Sequence, residues 1–202
     1  MDEFIADFNE HPYAGSCLGR IAIGYYKKGY ELKEAGRLEI ARQHFEGAAD
    51  TFERIMMNNL TIGTDAAYVY FYAGANYLEL KRREDAIECL QKVADDWPGF
   101  EHACSALAGI GGTYEFLRDK EDVPREAANP LIEEEYKTVL SDYPNCYSAP
   151  DAAYNLAQMR EEEGDKAAAV EYYKTFLKKA RCGDARIPIV KTTLMELEGI
   201  NQ

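Results

Sequence analysis

Apolar residues recur at helical spacing along the chain, and residues 70–98 show the pattern most fully. Gly74 and Ala86 are small where two antiparallel helices would cross, since only small side chains let two backbones approach closely. Larger residues, Tyr77 and Leu90, fill the space beside that crossing. A proline closes the stretch and stops the second helix, because it has no amide donor. These residues predict a helical hairpin.

The same alternation of small and large residues occurs in three further stretches. Gly29 and Ala41 take the crossing positions before this hairpin, and Gly111 and Ala169 take equivalent positions after it. Ser16 is the predicted N-cap of the first helix. Residues 2–13, with apolar residues among acids and a proline near the end, predict a short capping helix. The predicted repeats cover 16–60, 65–100, 101–146 and 148–183, and a C-terminal capping helix covers 185–200.

Residues 70–98 resemble a tetratricopeptide repeat (TPR), whose consensus places aromatic, Leu-Gly, Tyr, Ala, Phe and Pro residues at fixed intervals. The resemblance implies an all-α fold, a right-handed superhelical solenoid of about four TPR-like helical hairpins with capping helices. It also implies a single domain, 1–202. Residues 143–156 are similar to TPR proteins of the bacterial envelope that act as assembly factors.

The third repeat departs from the spacing of the others. Nine more residues than a repeat requires separate Gly111 from Ile132, and they lie within the charged stretch 118–129, which contains Pro124. We therefore expect a surface excursion between the two helices of this repeat.

The charge of the chain argues against two classes of partner. The 202 residues carry 36 acidic and 23 basic side chains, which gives a net charge of −13. Such a chain repels phosphate backbones and anionic membranes, so we expect no nucleic-acid partner and no membrane partner. A partner with basic groups is the natural expectation. Simple solubility is the more usual explanation of the acidic excess, since soluble domains commonly carry a net charge.

Cysteine usage and the first residues predict a cytoplasmic location. The five cysteines are odd in number and form no C-x-x-C pair, so we expect reduced thiols at Cys17, Cys89, Cys104, Cys146 and Cys182. Residues 1–7 are acidic and lack the basic and apolar regions of a secretion signal. An envelope location is expected only if a signal sequence was removed.

In TPR proteins the first helix of each repeat lines a concave groove, and the resemblance implies which positions line it here. The residues predicted to bind a protein or peptide are Tyr26, Tyr30, Tyr68, Phe71, Tyr72, Glu115, Asp151, Tyr154, Asn155, Gln158, Glu161 and Glu162. The same mapping places Ile23 and Lys27 in the groove. The aromatic residues would bury an apolar segment, the amides would bind its backbone and the acids would attract Lys or Arg. Alternatively, the aromatic rings only pack one repeat on the next.

No pattern in the sequence predicts catalysis. The three histidines lie in separate elements, and no nucleophile elbow, zinc-protease motif or phosphate loop occurs. We interpret Gly109, Gly111 and Gly112 as packing residues, and we expect no cofactor and no metal. An enzyme using residues 133–135 or this glycine cluster has the least support.

These observations predict a protein–protein interaction scaffold or adaptor that binds a peptide or protein segment in its concave groove. The alternatives are a self-associating structural oligomer and a cell-envelope assembly factor.

Overall fold

The computed structural model describes residues 13–61 and 64–199, and within them it contains nine α-helices and no strand. The helices are α1 (Ala14–Glu34), α2 (Leu38–Met57), α3 (Thr64–Glu79), α4 (Arg83–Asp96), α5 (Ala103–Asp119), α6 (Arg125–Asp142), α7 (Ala149–Glu162), α8 (Lys166–Lys179) and α9 (Arg186–Leu197). The prediction of an all-α fold built from TPR-like helices is confirmed. The handedness of a superhelix stays a prediction, and the predicted N-terminal capping helix lies mainly outside the described residues.

The chain divides into two compact units, Met1–Gly109 (unit 1) and Ile110–Gln202 (unit 2). In unit 1, α1 packs on α2, α3 packs on α4, and α3 also contacts both α1 and α2. In unit 2, α7 packs on α8, α6 on α7 and α9 on α8. The single domain and the repeat boundaries stay predictions.

Each unit has an apolar core of its own, formed by the helix faces that the spacing predicts. The core of unit 1 centres on Leu18, Phe52, Ile55, Val69 and Tyr77. The core of unit 2 includes Ala153, Ala157, Tyr173, Phe176 and Val190. Burial of these side chains is the main force that holds the hairpins together.

Glycine lets the paired helices touch. A Cβ added at Gly29 would lie 2.7 Å from the Phe45 ring, and one at Gly74 would lie 2.7 Å from Leu90 Cγ. Both distances are shorter than any normal carbon–carbon contact, so a larger residue would push the helices apart. The predicted close approach at these small residues is confirmed. Gly109, whose added Cβ would lie 3.1 Å from Leu90, is a packing residue as interpreted.

Two local predictions are wrong. The first helix starts at Ala14, with Tyr13 at its N-cap, so Ser16 lies inside α1 and its hydroxyl donates to Asp65 instead. The predicted excursion at 118–129 is mostly helical: α5 runs to Asp119, and α6 starts directly after Pro124. Proline is tolerated beside a helix start, where amide donors lack helical partners, so the charged stretch lengthens helices instead of forming a long loop.

The prediction of five reduced cysteines is also wrong. Cys104 is disulfide-bonded, and so is Cys146, whereas Cys17, Cys89 and Cys182 are free. Sequence spacing alone could not show this, because disulfide geometry depends on the folded positions of the sulfur atoms. The cytoplasmic location depended on reduced thiols, so it stays a prediction without that support.

Helix α8 offers a prediction about local stability. The Asp165 side chain caps its N-terminus, accepting a hydrogen bond from the Ala168 amide at 3.1 Å. We expect Asp165→Ala to lower the free energy of unfolding by about 1 kcal/mol, because one orphan amide loses its partner. Asp165→Asn keeps an acceptor oxygen and should retain most of the stability in chemical denaturation. Equal losses in both variants would contradict the capping role.

Candidate protein-binding groove

A groove of about 900 Å³ lies in unit 1 and is lined by residues of α1 and α3 together with Tyr13. Glycine shapes the wall that α1 provides. A Cβ added at Gly19 would lie 3.1 Å from Val69, whereas one added at Gly24 would meet no atom within 4 Å. Gly24 therefore opens onto free space, and the small residues of α1 leave room for a bound chain.

Aromatic residues form the wall that α3 provides. The Tyr68 ring stands edge-on to Phe100 with the centroids 4.8 Å apart, and its hydroxyl donates to Glu101. Tyr72 packs against Tyr26 at 5.6 Å between centroids. These neighbours hold both rings in place, so a ligand would meet a largely pre-formed aromatic surface.

The charged groups that line the groove are mainly cationic. Arg20 and Lys27 both lie on α1, and the Lys27 ammonium is 5.6 Å from the centroid of the Tyr72 ring. Asp65 supplies a carboxylate, and it accepts a hydrogen bond from Ser16. Over residues 13–61 and 64–199, neither Arg20 nor Lys27 forms an ion pair. The groove therefore presents two cations to an incoming ligand.

Of the five aromatic site residues predicted in unit 1, Tyr68 and Tyr72 line this groove. Tyr26 is half-buried among neighbouring rings, and burial raises its pKa to about 12. Tyr30 is exposed outside the groove lining. Phe71 stacks on the His102 ring at 4.6 Å. Tyr26 and Phe71 therefore pack against neighbouring rings, which agrees with the alternative interpretation that these aromatic residues have a packing role.

In unit 2 the predicted acidic site residues already have partners. Asp151 forms an ion pair with Arg186 at 2.6 Å, and Glu162 forms one with Arg125 at 3.1 Å. Glu161 accepts a hydrogen bond from the Tyr173 hydroxyl at 2.7 Å. A basic partner would therefore have to compete with internal contacts for these three carboxylates.

Three other predicted residues of unit 2 also take part in packing or in an internal network. Tyr154 packs on Phe176 at 5.4 Å between centroids. Glu115 accepts hydrogen bonds from the Tyr136 hydroxyl at 2.8 Å and from the Asn155 amide at 3.0 Å. Gln158 is exposed. The amide of Asn155 is thus already used within the unit.

The network gives a prediction about pH. Burial is the largest influence on Glu115 and raises the pKa of its carboxyl. The folded state therefore binds the proton more tightly than the unfolded state, and the contribution of Glu115 to stability falls as pH rises through the range just above the ordinary carboxyl pKa. We expect Glu115→Gln, which keeps an acceptor for both donors, to be at least as stable as wild type at neutral pH. Denaturation from pH 4 to pH 7 should show the variant gaining on wild type, and parallel curves would contradict this.

Sequence reasoning missed Arg20, Gly24 and Cys17, which all line the groove. The first groove position that the TPR resemblance implied was Ile23. Extending the helical spacing one turn towards the N-terminus would have reached Arg20, since residues three apart share a helix face. No pattern in the sequence indicated that Gly24 faces open space instead of a neighbouring helix.

Within the described part of the chain, no group of three or more His, Cys, Asp or Glu side chains is arranged to hold a metal ion. None of the helices described is long and apolar enough to cross a membrane.

Two of the helical hairpins match a known protein family. The model of a family described as "Tetratricopeptide repeat" matches residues 68–99 and 151–180, which contain most of the α3–α4 hairpin and most of the α7–α8 hairpin. No curated protein matches the chain. The chain therefore contains tetratricopeptide repeats at these two hairpins, in agreement with the small residues found at the helix crossings.

Proposed function

We propose that the chain is a scaffold or adaptor that binds a segment of another protein in the groove of unit 1. Tetratricopeptide repeats generally mediate protein–protein interactions. The observation that carries the proposal is the open groove between α1 and α3, with an aromatic wall opposite Gly24.

The groove has the properties of a site for an extended segment. Tyrosine offers a large contact area at a small cost in side-chain entropy, which favours Tyr68 and Tyr72 as contact residues. Their rings are already fixed by Phe100 and Tyr26, so little further ordering is needed on binding. The predicted sites in unit 2 support binding less well, because most of their polar groups have internal partners.

A groove-filling substitution tests this proposal. Gly24→Trp should place a large side chain in the groove, and its Cβ meets no atom within 4 Å. Its thermal stability should not fall, since glycine is the poorer helix former. We expect the variant to lose the proteins that wild type captures from a native lysate.

Gly99→Trp is the matched control. Gly99 is in unit 1 outside the groove lining, and a Cβ there also meets no atom within 4 Å. We expect this variant to capture the same proteins as wild type. Equal capture by wild type and both tryptophan variants would overturn the proposal.

A second candidate is self-association through α9. Ile189 and Met195 are 59% and 43% exposed, and exposed apolar residues on one helix favour contact with another protein surface. We expect Ile189→Glu to convert any such oligomer to monomer in sedimentation. A wild-type chain that sediments as a monomer at micromolar concentration would exclude this candidate.

A further inference from the structure

We propose that the groove of unit 1 selects a protein segment that carries two acidic side chains three residues apart with apolar residues between them. This inference rests on the function proposed above and names the class of partner. It is opposite to the basic partner that the net charge of −13 would favour.

The local charge of the groove differs from that of the whole chain. Among the described residues, Arg20 and Lys27 lack ion pairs, although acidic side chains outnumber basic ones in the sequence. The neighbouring Lys28, which is not a groove residue, forms an ion pair with Glu31 at 2.9 Å. Exposed cations of an acidic protein that remain unpaired in a groove are available to a ligand carboxylate.

The carboxylate of the groove, Asp65, pairs with a hydroxyl group and forms no ion pair with either cation among the described residues. Asp65 lies on α3 and accepts the hydroxyl hydrogen of Ser16. The acidic groups of a ligand could therefore accept hydrogen bonds from Arg20 and Lys27 on α1. They would be repelled by one carboxylate of the groove, that of Asp65. Each charge-assisted hydrogen bond would also orient the bound segment.

The distance between Arg20 and Lys27 determines how far apart the two acidic residues of the ligand should lie. Arg20 and Lys27 are seven residues apart on α1, which corresponds to about 10.5 Å along the helix axis. In a polyproline II segment, residues three apart lie on the same face and are separated by about 9 Å. The flexible Arg and Lys side chains can cover the remaining difference.

The groove surface between the two cations is apolar. Ile23 and Gly24 lie between them on α1, and the rings of Tyr68 and Tyr72 form the facing wall. When the acids face α1, the two residues between them point to the other faces of the three-fold segment, and an aliphatic side chain that faces α3 would gain hydrophobic free energy against the rings of Tyr68 and Tyr72. The recognised pattern is therefore acid, two apolar residues, acid.

The probe is a fluorescein-labelled octapeptide, Ser-Gly-Glu-Leu-Leu-Glu-Gly-Ser, with blocked termini so that only its side chains carry carboxylates. We expect fluorescence anisotropy to show saturable binding to wild type and loss of binding to Gly24→Trp. The same peptide with both Glu residues replaced by Gln should bind at least about tenfold more weakly, since hydrogen bonds to charged groups contribute that much.

Two neighbouring lysines give a charge-matched comparison. Lys27→Gln and Lys28→Gln change the net charge equally, but only Lys27 lines the groove. We expect Lys27→Gln to weaken binding of the acidic peptide by about tenfold and Lys28→Gln to leave it nearly unchanged. The double variant Arg20→Glu/Lys27→Glu should reject the acidic peptide and bind the peptide with Lys in place of Glu.

The inference is overturned if the Gln peptide or the Lys peptide binds wild type as tightly as the Glu peptide. It is also overturned if the wild-type chain forms a dimer that Gly24→Trp abolishes, since a second copy would then occupy the groove. If the acidic peptide fails while Gly24→Trp still loses the captured proteins, only the inference fails. If Gly24→Trp captures the same proteins as wild type, the proposed function fails as well.

Discussion

Replacing Asn76 by aspartate is expected to lower the free energy of unfolding by about 3–5 kcal/mol, the cost of an unpaired buried charge. Asn76 lies on α3 with an exposed fraction of 0%, and its amide nitrogen donates to the Phe45 carbonyl at 2.9 Å. Its amide oxygen has no hydrogen-bond partner in the structure. A carboxylate there would place a charge beside a carbonyl oxygen, in a site that offers it no donor.

Chemical denaturation at several pH values measures this effect. The new carboxyl would have a raised pKa in the folded state, so the loss should be full at neutral pH and should shrink as pH falls. Asn76→Leu is the control: it has a similar volume and removes the unpaired oxygen as well as the donor, so its effect should be small. An Asp variant as stable as the Leu variant at pH 7 would contradict this account of the site.

Replacing Gly111 by valine is expected to lower the free energy of unfolding of unit 2 by about 3 kcal/mol, because it overpacks a helix crossing. A Cβ at Gly111 would lie 2.7 Å from the Tyr136 ring. The ring cannot easily move, because it is fully buried and its hydroxyl is held by Glu115 and Asn155. The helices would have to separate to admit the new side chain.

The adjacent glycine is the matched control. A Cβ at Gly112 would meet only the Tyr136 hydroxyl, at 3.8 Å, which is an ordinary contact. We expect Gly112→Ala to leave stability unchanged or to raise it by up to about 1 kcal/mol, since alanine is the better helix former. Thermal denaturation of both variants decides the point, and similar losses at the two positions would refute the crossing role of Gly111.

The fold could be predicted from sequence because its cause is local and repeated. Small residues such as Gly29 and Gly74 stand at fixed distances from larger partners, and this spacing needs no knowledge of distant contacts. The start of α1 and the stretch before α6 could not be placed in the same way. Ser16 was predicted as an N-cap, but the structure directs its hydroxyl to Asp65, 49 residues away.

The candidate site was less predictable, because it depends on which side chains already have partners. The sequence shows that Asp151 and Glu162 are acidic, but only the folded chain brings Arg186 and Arg125 to them. In the same way, the sequence does not distinguish Lys27 from Lys28 as a free cation. Helix spacing places residues on a face, whereas pairing across helices decides which charges remain available.

Alkylation of Cys17 tests the central claim that this groove binds a protein segment. Cys17 is a free, exposed thiol that lines the groove, and Cys182 is a free, exposed thiol in unit 2 that serves as an internal reference. N-ethylmaleimide would be applied to wild type alone and to its complex with a protein that Gly99→Trp retains and Gly24→Trp loses. We predict that Cys17 reacts more slowly in the complex while Cys182 keeps its rate. A Cys17 that reacts as fast in the complex as in the free chain would contradict the claim.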